Sequence, residues 1–355
     1  MIKFDIITSY LINYKSMNKL QCIIIGATGL VGKEIIKLIE KQNLHLVYNL
    51  QLIASDLSKG KEIMIQCIKY KIETWEDINF ERKNIFINCS SSELGLKLYD
   101  KVQNSEIEDK SIIIDNSSAL RLFQEVPLTI PHINFPKDSN NIFANPNCST
   151  IILSCLLFPL KSYGFKRIVV STYQSASGSG KEGLDELELQ MKQYCNKEEL
   201  TTKFWKKQYV NNCFVHNSDL TKENYNTEEM KLINETKKIF DLPDLKITAT
   251  CIRVPTIRSH CESVNIEFNN PVTFLEIIKL LNNDKNIVLI DDKENCNFPD
   301  TIISSNKNEV YIGHIRPDHS LPKNMGWNFW ISGDQILRGA AYNAIEILGT
   351  IRKSN

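Results

Sequence analysis

The stretch "LQCIIIGATGLVGKEIIKLIEKQ" (residues 20–42) decides the fold of the first half of the chain. Its first part, 20–25, is an apolar run of strand length, and Gly26, Gly29 and Gly32 then form a GxxGxxG turn before a segment with helical periodicity. Such glycines let backbone N–H groups approach a pyrophosphate at a helix N-terminus. An ordinary tight turn is the alternative, but the strand before it and the helix after it favour dinucleotide binding.

The remaining segments predict two domains, as the chain length of 355 residues also does. Further strand-length apolar runs in the first half lie at 50–55, 84–90 and 111–117 and predict a parallel, doubly wound Rossmann-type sheet, which makes this half α/β. The second half alternates long strands with helices, which predicts an α+β domain with a mainly antiparallel sheet. Its strands are expected at 165–174, 246–255 and 261–268, and its helices at 183–193 and 228–240.

We therefore predict a dinucleotide-binding domain over 18–147, completed by a C-terminal helix at 333–355, and a catalytic and dimerisation domain over 148–332. The polar stretch 197–226 is predicted to be a long surface excursion. Residues 1–17 are interpreted as an N-terminal extension or an early start, since they lack the apolar length of a membrane helix. A transit peptide is the less favoured alternative, because the segment has no arginine and carries an aspartate.

Composition argues for a small-molecule partner. Lys plus Arg and Asp plus Glu both number 42, so no net charge attracts nucleic acid or an anionic membrane. The ten cysteines include no Cys-x-x-Cys pair, and no histidine stands at metal-ligand spacing. We expect no metal site, and reduced, mostly buried thiols in a cytoplasmic protein.

One cysteine differs from the others in its setting. Cys148 follows an Asn-Pro-Asn turn and leads into the apolar helical segment "STIILSCLLF", so its sulfur should lie near a helix N-terminus, where a thiolate is stabilised. A nucleophilic cysteine needs a proton-handling partner, and His260, expected on a loop between two strands, is the strongest candidate of the six histidines. The alternative for His260 is a satisfied core or surface residue.

The segments "GATGLVG", "DNSSALR", "NPNCST", "YQSASGSG", "EEMK", "RVPTIRSHCESVNIEF" and "GDQILRGAAYNA" occur in this order. In order and spacing the chain resembles the bacterial form of the aspartate-β-semialdehyde dehydrogenase family, from Met17 nearly to its end. The resemblance implies a homodimer that uses NADP and small-molecule substrates. It implies NADPH-dependent reduction of L-aspartyl-β-phosphate to the semialdehyde and phosphate, through a cysteine thioester, for lysine, threonine and methionine biosynthesis.

The resemblance also implies residue roles. Cys148 matches the nucleophile, His260 the general acid/base, and Gln174 the glutamine that orients the substrate or thioester. Arg253 matches the residue that holds the substrate carboxylate, and Glu228 the acid that pairs with the substrate amino group. The residues that bind phosphate in the family correspond to Arg121 and Lys231. The alternative for these two residues is a solvated charge, and the alternative for Glu228 is an acid on a helix face. The implied cofactor residues are Gly26, Thr28, Gly29, Leu30, Val31, Ser55, Ser58, Ser177, Gly178 and Gln335.

The chain departs from the family pattern where the 2′-phosphate of NADP is expected. After the second strand it reads "ASDLSKGK", so Leu57 replaces the usual arginine and Asp56 adds a negative charge. Lys59 could replace the lost charge but not the bidentate geometry of a guanidinium. We therefore predict a weaker preference for NADP over NAD than the family norm.

Two rival functions remain open. N-acetyl-γ-glutamyl-phosphate reductase catalyses the same type of reaction, but its cysteine motif usually reads Asn-Pro-Gly-Cys-Tyr, whereas here Asn147 precedes and Ser149 follows the cysteine. The other rival is a catalytically silent dimeric paralogue. Retention of the nucleophile, the glutamine, the arginine and the histidine argues against it.

Overall fold

The structure is a computed structural model that describes residues 19–105, 111–137 and 140–354. Our interpretation of residues 1–17 lies outside the described residues. The chain divides into two compact units. Within the described residues, the first comprises the chain up to Pro127, Pro136–Asn145 and the chain from Ile347, and the second comprises Leu128–Phe135 and Pro146–Glu346.

The first unit contains a seven-stranded sheet with the order β3-β4-β2-β1-β5-β6-β7. All neighbouring strands are parallel except β3 and β4, which form an antiparallel pair at one edge. The elements are β1 Gln21–Ile25, α1 Leu30–Lys41, β2 Asn49–Ile53, β3 Glu62–Ile65, β4 Ile68–Glu73, β5 Asn84–Asn88, α2 Ser92–Gln103, β6 Ile112–Asp115 and β7 Ile142–Ala144. This is the predicted Rossmann-type α/β fold.

The central strand β1 explains why this sheet could be predicted. Residues 22–25 of β1 are all buried, and β1 pairs with β2 on one side and β5 on the other. A strand covered on both faces reads as a continuous apolar run. Strands β3 and β4 were not predicted. Strand β3 spans only four residues, whereas the alternation of apolar and charged residues in β4 is a signal that could have identified it.

The second unit is built on a sheet with the order β12-β13-β14-β11-β8-β10-β9. Four of its neighbouring pairs are antiparallel, and β8–β10 and β12–β13 are parallel. Its strands are β8 Phe165–Gln174, β9 Phe214–Val215, β10 Lys246–Arg253, β11 His260–Phe268, β12 Ile287–Leu289, β13 Val310–Pro317 and β14 Gly326–Gly333. Its helices are α3 Pro131–Asn134, α4 Cys148–Leu160, α5 Gly180–Asn196, α6 Thr227–Phe240, α7 Phe274–Asn282 and α8 Thr301–Ser304, with most of α9 Asn343–Ser354 in the first unit.

Helix α4 lies in the core of the second unit. Ten of its thirteen residues are buried, and it contacts α6, α7 and strands β11, β13 and β14. Because apolar side chains surround the helix, it shows no amphipathic stripe and was recognisable only by its length and its start signal. The core of this unit therefore holds the helix that begins at Cys148.

The C-terminal segment differs from its prediction. The sequence predicted one helix from 333 that completes the first domain, but Leu337–Tyr342 form a π-helix in the second unit, and α9 begins only at Asn343. Gly339 explains the close packing of this segment, because a Cβ there would lie 2.7 Å from Cys148 Cβ. Only the chain from Ile347 belongs to the first unit.

Two further expectations need correction. The segment 197–226 is irregular apart from β9, but Trp205, Tyr209 and Val210 within it are buried, so it is not a surface excursion throughout.

The cysteines are all free, but only four are buried and four are exposed, so most are not core residues. Free cysteine is among the most buried residue types, so residue type alone gave the wrong expectation for the four exposed cysteines.

Candidate active site

Cys148 is the first residue of helix α4, as the sequence predicts. Asn147 caps the helix: its Oδ1 accepts hydrogen bonds from the backbone N–H groups of Ser149 (3.0 Å) and Thr150 (3.3 Å). Asn147 Nδ2 donates to Glu228 Oε1 at 2.8 Å. The cap and the helix dipole together place the sulfur where a thiolate is favoured.

Three predicted site residues lie side by side at one end of the sheet in the second unit. Arg253, the last residue of β10, pairs in register with Gln174, the last residue of β8. His260 begins β11, next to Cys261, which pairs with Tyr173 of β8. Gln174 Nε2 donates to Ser149 Oγ at 2.9 Å, which joins this row to the first turn of α4. His260 was predicted on a loop, but its pairing with Gly333 of β14 extends the strand to it.

The imidazole of His260 is fully buried, and the structure defines its tautomer. The backbone N–H of Ser175 donates to Nδ1 at 3.1 Å. An amide N–H can only donate, so the proton of the neutral ring is on Nε2. Burial and the nearby charge of Arg253 lower the pKa of His260 to about 3. His260 Nε2 is buried without a hydrogen-bond partner among the residues that the structure describes, so a neutral N–H donor remains for a ligand.

Arg253 lies in the same buried environment. Its Nη1 donates to the carbonyl oxygen of Ser175 at 3.0 Å, and its Nε has no hydrogen-bond partner within the described part of the chain. Gly178 lies against both site residues: a Cβ at this position would be 3.2 Å from His260 Cε1 and 3.3 Å from Arg253 Nη1. A larger residue at 178 would press on both side chains.

Glu228 and Lys231 lie one turn apart on α6 and form an ion pair, with Lys231 Nζ 3.2 Å from Glu228 Oε2. Burial raises the pKa of the Glu228 carboxyl, but Lys231, His216, the Asn147 amide and Arg253 outweigh this effect and lower it to about 2. Glu228 is therefore an ionised carboxylate, held near the nucleophile by Asn147.

A hydroxyl and amide network lies behind His260. Gln335 Nε2 donates to Ser175 Oγ at 3.0 Å and to Ser177 Oγ, and Gln335 Oε1 accepts from Ser259 N at 2.8 Å. Ser177, Gly178 and Gln335 are thus placed beside His260 and Arg253. Their predicted contact with the cofactor stays a prediction.

The predicted phosphate residue Arg121 belongs to the first unit and is buried. Its Nε donates to the carbonyl oxygen of Asn145 at 2.9 Å, and an Nη atom donates to that of Asn116 at 3.0 Å. These bonds fix the guanidinium within its own unit.

The glycine turn of the first unit fits a dinucleotide. Gly26 has a φ of +85°, and a Cβ there would lie 2.7 Å from the carbonyl oxygen of Cys89, while a Cβ at Gly32 would lie 2.2 Å from Gly26 O. Gly29 is the N-cap of α1 and has no side-chain oxygen. The backbone N–H groups of the first helical turn therefore remain available to bind an anion. Thr28, Leu30 and Val31 belong to this turn and to the start of α1.

A cavity of about 370 Å³ adjoins this turn. Among the predicted cofactor residues, Gly26 and Ser55 line it, whereas Ser58 ends a short 3₁₀-helix that begins at Asp56. Asp56 and Glu76 also line the cavity, so two acidic residues border it, one of them next to Leu57, which replaces the arginine of the family pattern. The glycine turn and the cavity together suit a nicotinamide dinucleotide, with no arginine among the lining residues.

Lys59 and Leu57 lie in the loop that follows β2. The side chain of Leu57 is 89% exposed. Lys59 Nζ is 3.2 Å from an oxygen of Asp77 and 3.4 Å from Oγ1 of Thr74, a cavity residue. The lysine charge is therefore near the cavity but already paired with a carboxylate.

Several residues of these sites were not predicted. Thr74, Trp75 and Glu76 line the cavity and follow β4, an alternating strand that the sequence prediction did not include. His216 interacts electrostatically with Glu228 and Arg253, and burial lowers its pKa to about 4. The "NPNCST" motif itself pointed to the helix cap, but only the fold shows that the capping residue also binds Glu228.

Comparison with known proteins agrees with the two-domain fold. Residues 21–141 match the family model "Semialdehyde dehydrogenase, NAD binding domain", and residues 157–338 match "Semialdehyde dehydrogenase, dimerisation domain". The aspartate-semialdehyde dehydrogenase of Prochlorococcus marinus is 38% identical over 91% of this chain and 93% of its own, and that of Bacillus subtilis 35% identical over 94% and 97%.

Solved structures agree as well. The aspartate semialdehyde dehydrogenase II of Vibrio cholerae, solved in complex with ASA, superposes with a TM-score of 0.87 at 30% identity, over 95% of this chain and 99% of that one. With the curated relatives matched over nearly their full length, the chain belongs to the aspartate-semialdehyde dehydrogenase family.

Proposed function

We propose that this protein is an aspartate-semialdehyde dehydrogenase that reduces L-aspartyl-β-phosphate to L-aspartate-β-semialdehyde and phosphate for lysine, threonine and methionine biosynthesis. The observation that carries the proposal is the position of Cys148 at the capped start of α4, in the same unit as Gln174, Arg253 and His260. Acyl transfer to a thiol requires a nucleophile and a hydrogen-bond donor for the oxyanion, which Cys148 and His260 can supply, while Arg253 can hold the substrate carboxylate.

Cys148 forms the covalent intermediate. The thiolate attacks the acyl carbon of aspartyl phosphate, the C–S bond forms, and the C–O bond to phosphate breaks, which leaves a thioester. After reduction, the C–S bond of the thiohemiacetal breaks and returns the thiolate. Gln174, whose amide nitrogen is fixed by Ser149 Oγ at 2.9 Å, orients the acyl group during these steps.

Arg253 and Glu228 recognise the amino-acid end of the substrate. The buried guanidinium of Arg253 retains an Nε–H without a partner among the described residues, and a substrate carboxylate can accept from it in the bidentate geometry that guanidinium favours. Glu228 is ionised and can pair with the substrate ammonium. Lys231 and Arg121 bind the phosphate end, and Lys231 exchanges its pairing with Glu228 for the phosphate.

His260, the proposed general acid/base, acts on the reacting oxygen as a hydrogen-bond donor. Its neutral Nε2–H can donate to the oxyanion that forms when the thiolate attacks, and again to the oxygen of the thiohemiacetal. The Ser175 N–H bond at Nδ1 keeps the ring in this tautomer. The lowered pKa keeps the imidazole neutral, so that no permanent cation competes with Arg253 for the substrate carboxylate.

A nicotinamide dinucleotide, NADP in our proposal, supplies the hydride for this reaction. In the first unit Gly26, Thr28, Gly29, Leu30 and Val31 would hold its pyrophosphate, and Ser55 and Ser58 its adenosine ribose. In the second unit, the nicotinamide end would be bound by Ser177, Gly178 and Gln335.

We further propose a cytoplasmic homodimer that associates through the second unit, with only small molecules as substrates. The support is the matched dimerisation domain over residues 157–338. In the described ranges 19–105, 111–137 and 140–354, no helix is long and apolar enough to cross a membrane.

The test is a spectrophotometric assay of NADPH formation from aspartate semialdehyde, phosphate and NADP. N-acetylglutamate semialdehyde is assayed beside it under the same conditions. Phosphate-dependent activity with the aspartyl substrate, at a much higher efficiency than with the glutamyl one, supports the proposal. Preference for the glutamyl substrate identifies the related reductase, and absence of both activities identifies a silent paralogue.

A further inference from the structure

The substrate-binding Arg253 is held by an aromatic cluster that the sequence assigned to a surface excursion. The guanidinium carbon of Arg253 lies 5.5 Å from the ring centre of Trp205, within the range of a cation–π contact. On another side, Nη1 donates to the carbonyl oxygen of Ser175. These two contacts restrain the guanidinium, while its Nε has no partner among the described residues.

The Trp205 ring is itself fixed in position. It is 1% exposed, and its indole N–H donates to the carbonyl oxygen of Gly183 at 2.9 Å. Its backbone N–H donates to Glu186 Oε1 at 3.0 Å. Gly183 also allows close packing, because a Cβ there would lie 2.9 Å from Trp205 Cζ2. Helix α5 therefore determines where the indole lies.

Tyr209 joins the same cluster to the strands of the active site. Its ring packs on Trp205 with 4.5 Å between centroids, and its hydroxyl donates to the carbonyl oxygen of Val254 at 2.7 Å. Val254 follows Arg253 directly, and its N–H donates to Gln174 O at 3.0 Å. The cluster thus restrains both the side chain of Arg253 and the backbone that carries it.

We propose that Trp205 is a positioning residue for substrate recognition, which holds the guanidinium of Arg253 so that its Nε–Nη2 edge faces the α-carboxylate of the substrate. The inference rests on the proposed function, in which Arg253 binds that carboxylate. Trp205 does not touch the substrate in this role. A flat indole suits the task because it attracts a cation over its face and offers no hydrogen bond that would compete with the carboxylate.

The experiment compares Trp205→Leu and Trp205→Phe with the native enzyme and with Trp330→Phe as control. Trp330 packs on Tyr173, whose side chain points to the opposite sheet face from that of Gln174. Each variant is assayed with aspartate semialdehyde and with 3-aminopropanal, which lacks the α-carboxylate. Trp205→Leu should raise KM for the semialdehyde about tenfold with little change in kcat, and Trp205→Phe about threefold. Efficiency with 3-aminopropanal should stay unchanged.

An equal loss of efficiency with both aldehydes would show a merely structural role and overturn the inference, as would an unchanged KM in both variants. If Trp205→Leu does not fold, the result with Trp205→Phe decides alone. Arg253→Ala separates this inference from the proposed function. If Arg253→Ala raises KM and neither Trp205 variant does, only the inference fails, whereas if Arg253→Ala has no effect on KM, the proposed role of the arginine fails.

Discussion

The cofactor preference can be altered at two positions of the loop after β2. Leu57 stands where the family pattern has an arginine, and its side chain is 89% exposed. Asp56 lines the cavity, and Lys59 Nζ in the same loop is 3.2 Å from an oxygen of Asp77. The native enzyme should therefore prefer NADP over NAD only weakly, and Leu57→Arg and Asp56→Asn should both strengthen the preference.

The magnitudes follow from the exposure of the loop. A hydrogen bond to a charged group contributes about 1.5 to 3 kcal/mol. Because Leu57 is largely exposed, an arginine there should contribute near the lower limit, which is roughly tenfold in discrimination. Asp56 is also exposed, and two charges about 4 Å apart in water interact by about 1 kcal/mol, so its neutralisation should change discrimination about fivefold.

The assay measures kcat/KM with NADP and with NAD at saturating semialdehyde and phosphate. Leu46→Arg is the matched control, since it adds the same charge to an exposed leucine that precedes β2 rather than follows it. Its cofactor ratio should equal that of the native enzyme. Strong native discrimination for NADP that neither variant at 56 or 57 increases would refute the reasoning, and a native preference for NAD would overturn the choice of cofactor.

Three further predictions concern the second unit. Cys148→Ser should lower turnover at least about 10⁴-fold while dinucleotide binding persists, whereas serine variants of the four exposed cysteines should remain active; a near-normal Cys148→Ser enzyme would exclude the thioester. Arg253→Ala should chiefly raise KM for the semialdehyde, and His260→Ala should lower kcat roughly 10²- to 10⁴-fold; equal, mild effects on kcat alone would contradict both roles. Burial and Arg338 lower the pKa of His132 from 6.5 to about 4. Below pH 6.5 the unfolded chain therefore binds a proton that the folded state excludes. As the pH falls from 6.5 to about 4, the free energy of unfolding should decrease by up to about 1.4 kcal/mol per pH unit. Urea denaturation at several pH values should show a shallower dependence for His132→Gln but not for the exposed His319→Gln; identical slopes would contradict the prediction.

The parts of the fold that the sequence revealed are those in which one local pattern determines the structure. Strand β8 was predicted with its observed limits, because ten residues of strand character lie between a glycine and a serine-rich turn. Likewise, the segment "NPNCST" predicted both a helix start and a nucleophile. Local signals of this kind can be interpreted without knowing which distant residues pack against the segment.

The parts that the sequence did not reveal depend on contacts between distant segments. Residues 337–342 have the periodicity of an α-helix, but they form a π-helix where Gly339 packs closely on Cys148. Trp205 lies in a polar stretch, and nothing nearby in sequence indicates that Arg253 covers its ring. Thr74 and Trp75 reach the cofactor cavity only because β4 pairs with β2.

The side chain of Asn147 has a consequence for which mutations this enzyme can survive. Its oxygen accepts from the backbone N–H groups of Ser149 and Thr150, and its nitrogen donates to Glu228. Aspartate has the oxygen but no donor, and it would set a second negative charge beside Glu228; serine is too short to reach both partners, and glutamine adds a methylene that displaces both bonds. Among the twenty amino acids only asparagine meets both demands at this length. Nearly every codon change at this position therefore alters the helix cap and the hydrogen bond to the ammonium-binding Glu228 together, and drift here cannot proceed through a neutral intermediate.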